Sequence, residues 1–326
     1  MSKLKHFGER FSVFFFILMA LVLFGSYNLR LTVTKPTSLT SQIDFFSKFA
    51  IPEDFLTSNV TLVLNFEFLL GLALLILAYF LGKEIASKAT GLFMAVFLGF
   101  YPYFISNCYG TINFFLLFFM LYLFFQLKAN TLLSKAWSVP SGIFFILSVI
   151  LEPTCIVIGI ISYIYYAIKS RNIIVLRIFL FFLLGILIGF APFMIYALLS
   201  ETSLEYILPL VETYTTFVDN FNLFISAPID YFNDEIIPFF ANTLGEPSYY
   251  ISLNSYAYLH YVIVTLSVLG FLYAFKDEKI RIIFLILLVL LLQALFIPVG
   301  FELLFLLLII MASYMINKVV SDVFTW

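Results

Sequence analysis

The stretch RIFLFFLLGILIGFAPFMIYALLSE, residues 177–201, decides how this chain is read, because Arg177 and Glu201 bracket a run without any Asp, Glu, Lys, Arg or His. An α-helix rises about 1.5 Å per residue, so the run is long enough to cross the ~30 Å hydrocarbon layer of a bilayer. The same pattern recurs along the chain. No charge falls between Arg10 and Arg30, or between Arg281 and Glu302. Lipid offers no partners to free backbone groups, so spanning segments are helices or closed barrels, and these runs lack the alternation of barrel strands.

Composition says the same of the whole. The 326 residues are 63% hydrophobic, 20% aromatic and only 11% charged, which is a chain whose solvent is mostly lipid. A net charge of -2 argues against nucleic acid as a partner, and 2 cysteines exclude a disulfide framework or a zinc cluster of ordinary ligand number. The expected fold is all-α, a polytopic bundle of about ten transmembrane helices. The spans fall near 11–28, 59–82, 89–107, 110–127, 139–152, 153–168, 178–199, 257–275, 282–298 and 301–317. The first follows a basic start with Lys3, Lys5 and Arg10, a pattern shared with secretory signal peptides. The missing A-x-A site and the long apolar run favour a retained helix.

Loop charge checks the parity, because cytoplasmic loops collect Lys and Arg. With both ends inside, an even number of crossings puts all of the 17 Lys and Arg on the inner side except Arg30, Lys35 and Lys48. Basic loops on both sides of 136–168 demand an even number of crossings there, hence a hairpin turning at Glu152, Pro153 and Thr154. The chain then divides into a module over 1–199 with its first long outer loop at 29–58, a second outer loop at 200–256, and closing helices over 257–326. The second loop is acidic and aromatic, with no Lys or Arg anywhere in 178–275, and its aromatic content suggests packing on the membrane surface or on helix ends. The expected location is the cell membrane, or the endoplasmic reticulum membrane in a eukaryote, with the long loops extracytoplasmic.

Chemistry is sparse. The chain has no P-loop, dinucleotide glycine fingerprint, H-E-x-x-H or G-x-S-x-G, and its two histidines, His6 and His260, fall on opposite sides by this topology. The first outer loop sets Asp44, Glu53 and Asp54 among Arg30, Lys35 and Lys48. A carboxylate beside fixed positive charge can take a proton from an acceptor hydroxyl while the cations neutralise a phosphate leaving group. The same segment also reads as an interfacial strip, with Phe45, Phe46, Phe49 and Phe55 in the headgroup layer. Glu152 and His260 stand near outer helix ends as candidates for substrate binding, against plain solvation for one and a structural hydrogen bond for the other. Glu67 lies within the second span, where an ionisable group either has a function or is held by hydrogen bonds. Cys108 and Cys155 both fall at outer turns, where a disulfide would depend on their separation.

The segment AYFLGKEIASKATGLFMAVFLGFYPYFISNCYGTINFFLLFFMLYLFFQL, residues 78–127, resembles the second to fourth helices of the GT-C membrane glycosyltransferases, which include protein O-mannosyltransferases and aminoarabinose transferases. Gly82 and Lys83 take the place of the family's short basic inner turn, and Pro102 that of the proline ending the next helix. SGIFFILSVILEPTCIVIGIISYIYYAI (141–168) resembles the paired fifth and sixth helices, and GFAPFMIY (189–196) the seventh. The resemblance implies a GT-C-like fold and transfer of a sugar from a polyprenyl-phosphate-linked donor to a glycan, lipid or protein acceptor outside the cytoplasm. By position the base falls on Asp44, with Glu53 and Asp54 as substitutes, and Arg30, Lys35 and Lys48 face the carrier phosphate. No metal-ligand cluster or other cofactor is evident. A carboxylate joined to substrate phosphate could hold a divalent cation, magnesium or manganese. Two other functions suit the same helices: a ten-helix small-molecule transporter, which generally has short loops and internal symmetry, and a non-catalytic GT-C-like subunit.

Overall fold

In the computed structural model the described residues are 14, 17–29, 53–101, 104–105, 112–170, 173–200, 208–238, 257–274, 277–297 and 301–324. They form an all-helical protein. In chain order the helices are α1 (Ile17–Leu29), α2 (Glu53–Ser58), α3 (Val60–Ile85), α4 (Lys88–Phe100), α5 (Ile112–Thr131), α6 (Lys135–Leu151), α7 (Ile156–Ser170) and α8 (Ile173–Ser200). There follow α9 (Leu208–Ser226), the short α10 (Pro228–Tyr231) running into a π-helical turn at Phe232–Ile236, α11 (Ala257–Ala274), α12 (Glu278–Gln293) and α13 (Phe301–Phe324). Apolar helices thus stand at every expected span. Among the described residues four stretches, Val60–Ile85, Ile112–Thr131, Leu176–Ile195 and Leu303–Ser321, are by length and composition able to cross a membrane.

Side-chain pairings give the helix directions. α3 turns through Ala86 and Ser87 into α4, where the Ser87 hydroxyl caps the new helix by accepting from the Thr90 N–H at 3.2 Å. The two helices meet where Gly82 lies against Gly91, so they run antiparallel. α5 runs parallel to α3, since Asn113 reaches Glu67 near one end and Lys128 pairs with Glu84 near the other. α6 folds back on α5, with Trp137 on Phe125 and Phe144 on Phe118. α8 lies parallel to α6: Ser138 donates to the Ile178 carbonyl at 2.6 Å, Gly142 meets Gly185, and Ile146 meets Gly189. The small residues allow backbone-to-backbone approach, which in an apolar solvent carries helix association in place of the hydrophobic effect. α13 is antiparallel to α4, with Ser87 on Asn317 and Phe305 on Tyr101, and parallel to α11, with Ser267 on Leu308 and Gly270 on Met311.

These directions sort the helix ends into two sets. Lys83, Lys88, Lys128, Lys135, Arg177, Arg281 and Lys318 lie at the helix termini of one end, the basic end. Glu67, Tyr101, Asn113, Glu152, His260 and Gln293 lie toward the other. α13 is the innermost helix, with 72% of its apolar window buried against 22% for α8. It touches α3, α4, α5, α11 and α12. The expected hairpin at Glu152 is present: α6 stops at Leu151, Glu152 is extended, and a 3-10 turn over Pro153–Cys155 starts the return. Phe145 then packs on Gly159 of α7. Cys155 is a buried free thiol, and Cys108 lies outside the described residues.

Candidate functional site at the end opposite the basic turns

Helix α9 lies on the turn that follows α12. Its Phe217, Phe221 and Phe224 place their ring centroids 5.8, 5.7 and 5.5 Å from that of Phe296. Asn220, on the same side of α9, donates to the Phe296 carbonyl at 2.7 Å, and Tyr231 donates to the Leu295 carbonyl. Both acceptors lie in the turn just past the end of α12 at Gln293, so two side chains from the second long loop are bonded to that turn. Burial, and after it the nearby Glu235, pushes the Tyr231 phenol above its ordinary value, so it stays protonated as a donor. The loop expected at 200–256 therefore contains a helix fixed to the bundle at defined points.

Beneath it, the Thr154 hydroxyl donates to Glu152 Oε1 at 2.6 Å, and Gln293 Nε2 approaches the Thr154 carbonyl at 3.4 Å. Glu152 is half-buried and engaged within its own turn. α9 also touches this Pro153–Cys155 turn, so the second long loop, the α6–α7 hairpin and the end of α12 form one connected cap.

A second polar group lies nearer the bundle axis. The Tyr101 hydroxyl and His260 Nδ1 are 2.5 Å apart, both residues are buried, and Phe305 packs on each. Glu67 is fully buried, and its backbone carbonyl accepts from Asn113 Nδ2 at 3.3 Å. An acid so enclosed in an apolar bundle is costly and marks a site of interest.

Of the residues singled out from sequence, Arg30, Lys35, Asp44 and Lys48 lie outside the described residues. Glu53 opens α2, and Asp54 is exposed, with its backbone carbonyl accepting from Thr57 and Ser58. Glu152 and His260 occur in separate hydrogen-bonded groups, with Thr154 and with Tyr101. Among the described residues no group of three His, Cys, Asp or Glu could hold a metal ion.

Gln126 escaped the sequence reading. Its Oε1 accepts from the Ser141 hydroxyl at 2.8 Å and the Tyr163 hydroxyl at 3.0 Å, joining α5, α6 and α7. Its buried Nε2 has no hydrogen-bond partner among the described residues. The two amides in the run INFFLLFFMLYLFFQL, Asn113 and Gln126, are averaged away by hydropathy, although an amide within an apolar helix is a signal of interhelical bonding.

The arrangement defines a class: an all-helical protein with membrane-spanning character, carrying cations at one end and a capped, acid-bearing set of helix ends at the other. The sequence matches no family model, and no curated protein matches it significantly.

Proposed function

We propose that the protein is a multi-pass membrane protein crossing the bilayer ten times with both termini on the basic side, and that it is a glycosyltransferase acting at the opposite face. It would move a sugar from a polyprenyl-phosphate-linked donor to a glycan, lipid or protein acceptor. The observation that supports this best is the cap: a long loop folded as a helix and fixed over helix ends is suited to cover a lipid-borne donor and its acceptor. A small-molecule carrier has less use for such a loop. Cations collected at the other end agree with the sidedness. The resemblance of 78–127, 141–168 and 189–196 to the GT-C helices names the chemistry.

In this reading Asp44 removes the proton from the acceptor hydroxyl as the acceptor oxygen bonds to the anomeric carbon. The bond from that carbon to the carrier phosphate breaks, and polyprenyl phosphate leaves against Arg30, Lys35 and Lys48. Glu53 and Asp54 are the alternative bases. The test is transfer from crude polyprenyl-linked sugars by reconstituted protein, wild type against Asp44→Asn. Loss of a general base costs about 10²–10⁴-fold in rate. Unchanged transfer would move the base to Glu53 or Asp54, and absence of transfer by wild type from every donor tried would leave a carrier or a non-catalytic subunit.

A further inference from the structure

Helix α9 carries more apolar surface than the bundle covers. At 100° per residue, Phe217, Phe221 and Phe224 form the arc turned to Phe296. Tyr214, Val218 and Ile225 form the adjoining arc, and Tyr214 and Ile225 are 68% and 64% exposed. The uncovered strip continues beyond the helix through Ile229 at 74% and Phe232 at 51%. Glu212, Thr215, Asp219, Asn222 and Ser226 hold the opposite side of α9 and make it amphipathic.

Two fixed points set how this strip is presented. Asn220 and Tyr231 bind the carbonyls of Phe296 and Leu295, so the helix cannot roll to hide Ile225 without breaking both bonds. The strip therefore stays beside the arc that meets Phe296, which is itself only partly covered, on a bundle that carries other exposed apolar side chains, such as Leu180, Leu184, Leu187 and Leu198 on α8. The polar side of α9 lies opposite the arc that meets Phe296. The apolar surroundings expected of this bundle are lipid.

We infer that α9 and the segment through Phe232 form an interfacial element, sunk on its Tyr214, Ile225 and Ile229 side into the headgroup and acyl boundary of the leaflet at the cap. Its charge selects the lipid. Interfacial helices that seek anionic membranes bring Lys and Arg, whereas this chain has neither in 178–275 and places exposed Glu212, Asp219, Asp230, Asp234 and Glu235 on the element. The partner is accordingly a zwitterionic lipid surface, and anionic headgroups repel the element. Nothing here requires sugar transfer, so the inference and the proposed activity stand or fall separately.

The test uses the full chain in vesicles, with Cys108→Ser to leave only the buried Cys155 thiol. A bimane fluorophore is attached in turn to Ile225→Cys, Ile229→Cys and Asp219→Cys. In phosphatidylcholine with brominated acyl chains, quenching at 225 and 229 is expected to exceed that at 219 several-fold, with aqueous iodide giving the reverse order. Replacing half of the lipid with phosphatidylglycerol that carries the same brominated chains, so that the bromine density is unchanged, should weaken bromine quenching at both apolar positions. Equal bromine quenching at 219 and 225, or protection of 225 from bromine and iodide alike by a second copy or another protein, would overturn the insertion. Unchanged quenching in the anionic vesicles would overturn the selection of neutral lipid. Two independent apolar positions guard against one label disturbing the helix.

Discussion

Replacing Gly142 by alanine should destabilise this protein far more than one methyl group ordinarily does. A Cβ at Gly142 would lie 2.1 Å from the Phe182 carbonyl oxygen, and one at Gly185 would lie 2.1 Å from the Val139 carbonyl oxygen. The obstacles are backbone, so no rotamer change relieves them, and α6 and α8 must part by about 1.3 Å to restore ordinary contact. A gap of roughly 0.5–1 Å already forfeits a quarter to a half of each dispersion well along the seam. The same movement stretches the Ser138 to Ile178 bond and loosens Phe145 on Phe182. Overpacking typically costs 1–3 kcal/mol, and this case should fall at or above about 3 kcal/mol. Because one separation relieves both sites, Gly142→Ala with Gly185→Ala should cost clearly less than the sum of the two. Gly99→Ala is the control, since its Cβ would meet Leu75 at an ordinary 3.4 Å and should gain several tenths of a kcal/mol from helix propensity. Thermal unfolding in detergent, followed by size-exclusion recovery after heating, reads all four. A Gly142→Ala protein as heat-resistant as wild type, or additive double-variant losses, would refute the close seam.

Further perturbations test the polar joints and the cap. Gln126→Leu should lower stability by about 1–3 kcal/mol in the same assay, because Ser141 and Tyr163 lose their shared acceptor; equal or greater stability would mean that the unpaired Nε2 costs as much as Oε1 gains. Phe296→Ala should remove the ring on which Phe217, Phe221 and Phe224 converge and make residues 208–238 cleavable by proteinase K before the bundle unfolds. The Tyr231 phenol is raised in the fold, so its contribution is complete below its unfolded value of about 10 and is lost as pH rises through the folded value. Cleavage of 208–238 should therefore increase in strongly alkaline buffer, whereas Tyr231→Phe should be more cleavable already at neutral pH and respond less to alkali.

The bundle was legible because its pattern runs along the chain. Charges bracketing apolar runs located the helices, and Pro153 between basic loops located the α6–α7 turn. The glycine seams were not legible, since Gly142 and Gly185 belong to helices separated in sequence by all of α7, and only the packed structure shows that those two backbones meet. The aromatic content of 200–256 announced packing, but the contact depends on Asn220 and on the Phe296 carbonyl in the turn after α12, which no composition reveals. Glu152 read as a substrate-binding candidate or a solvated acid at a turn, and neither reading includes its local bond from Thr154, two residues on. His260 stood alone in sequence because its partner, Tyr101, lies 159 residues away, just past the end of α4.

The central position of α13 has a consequence for biogenesis. The helix around which α3, α4, α5, α11 and α12 assemble is also the last of them to leave the ribosome. Earlier segments must wait in the membrane with their future inner surfaces turned to lipid, and polar groups such as Ser87 and Ser267 meet Asn317 and the Leu308 carbonyl only once synthesis has passed them. A nascent chain stopped before residue 301 would hold those hydroxyls only through their own helices, Ser87 through Thr90 and Ser267 through the Ile263 carbonyl, with the apolar surfaces meant for α13 uncovered, the kind of surface by which membrane quality control distinguishes an unfinished bundle from a finished one.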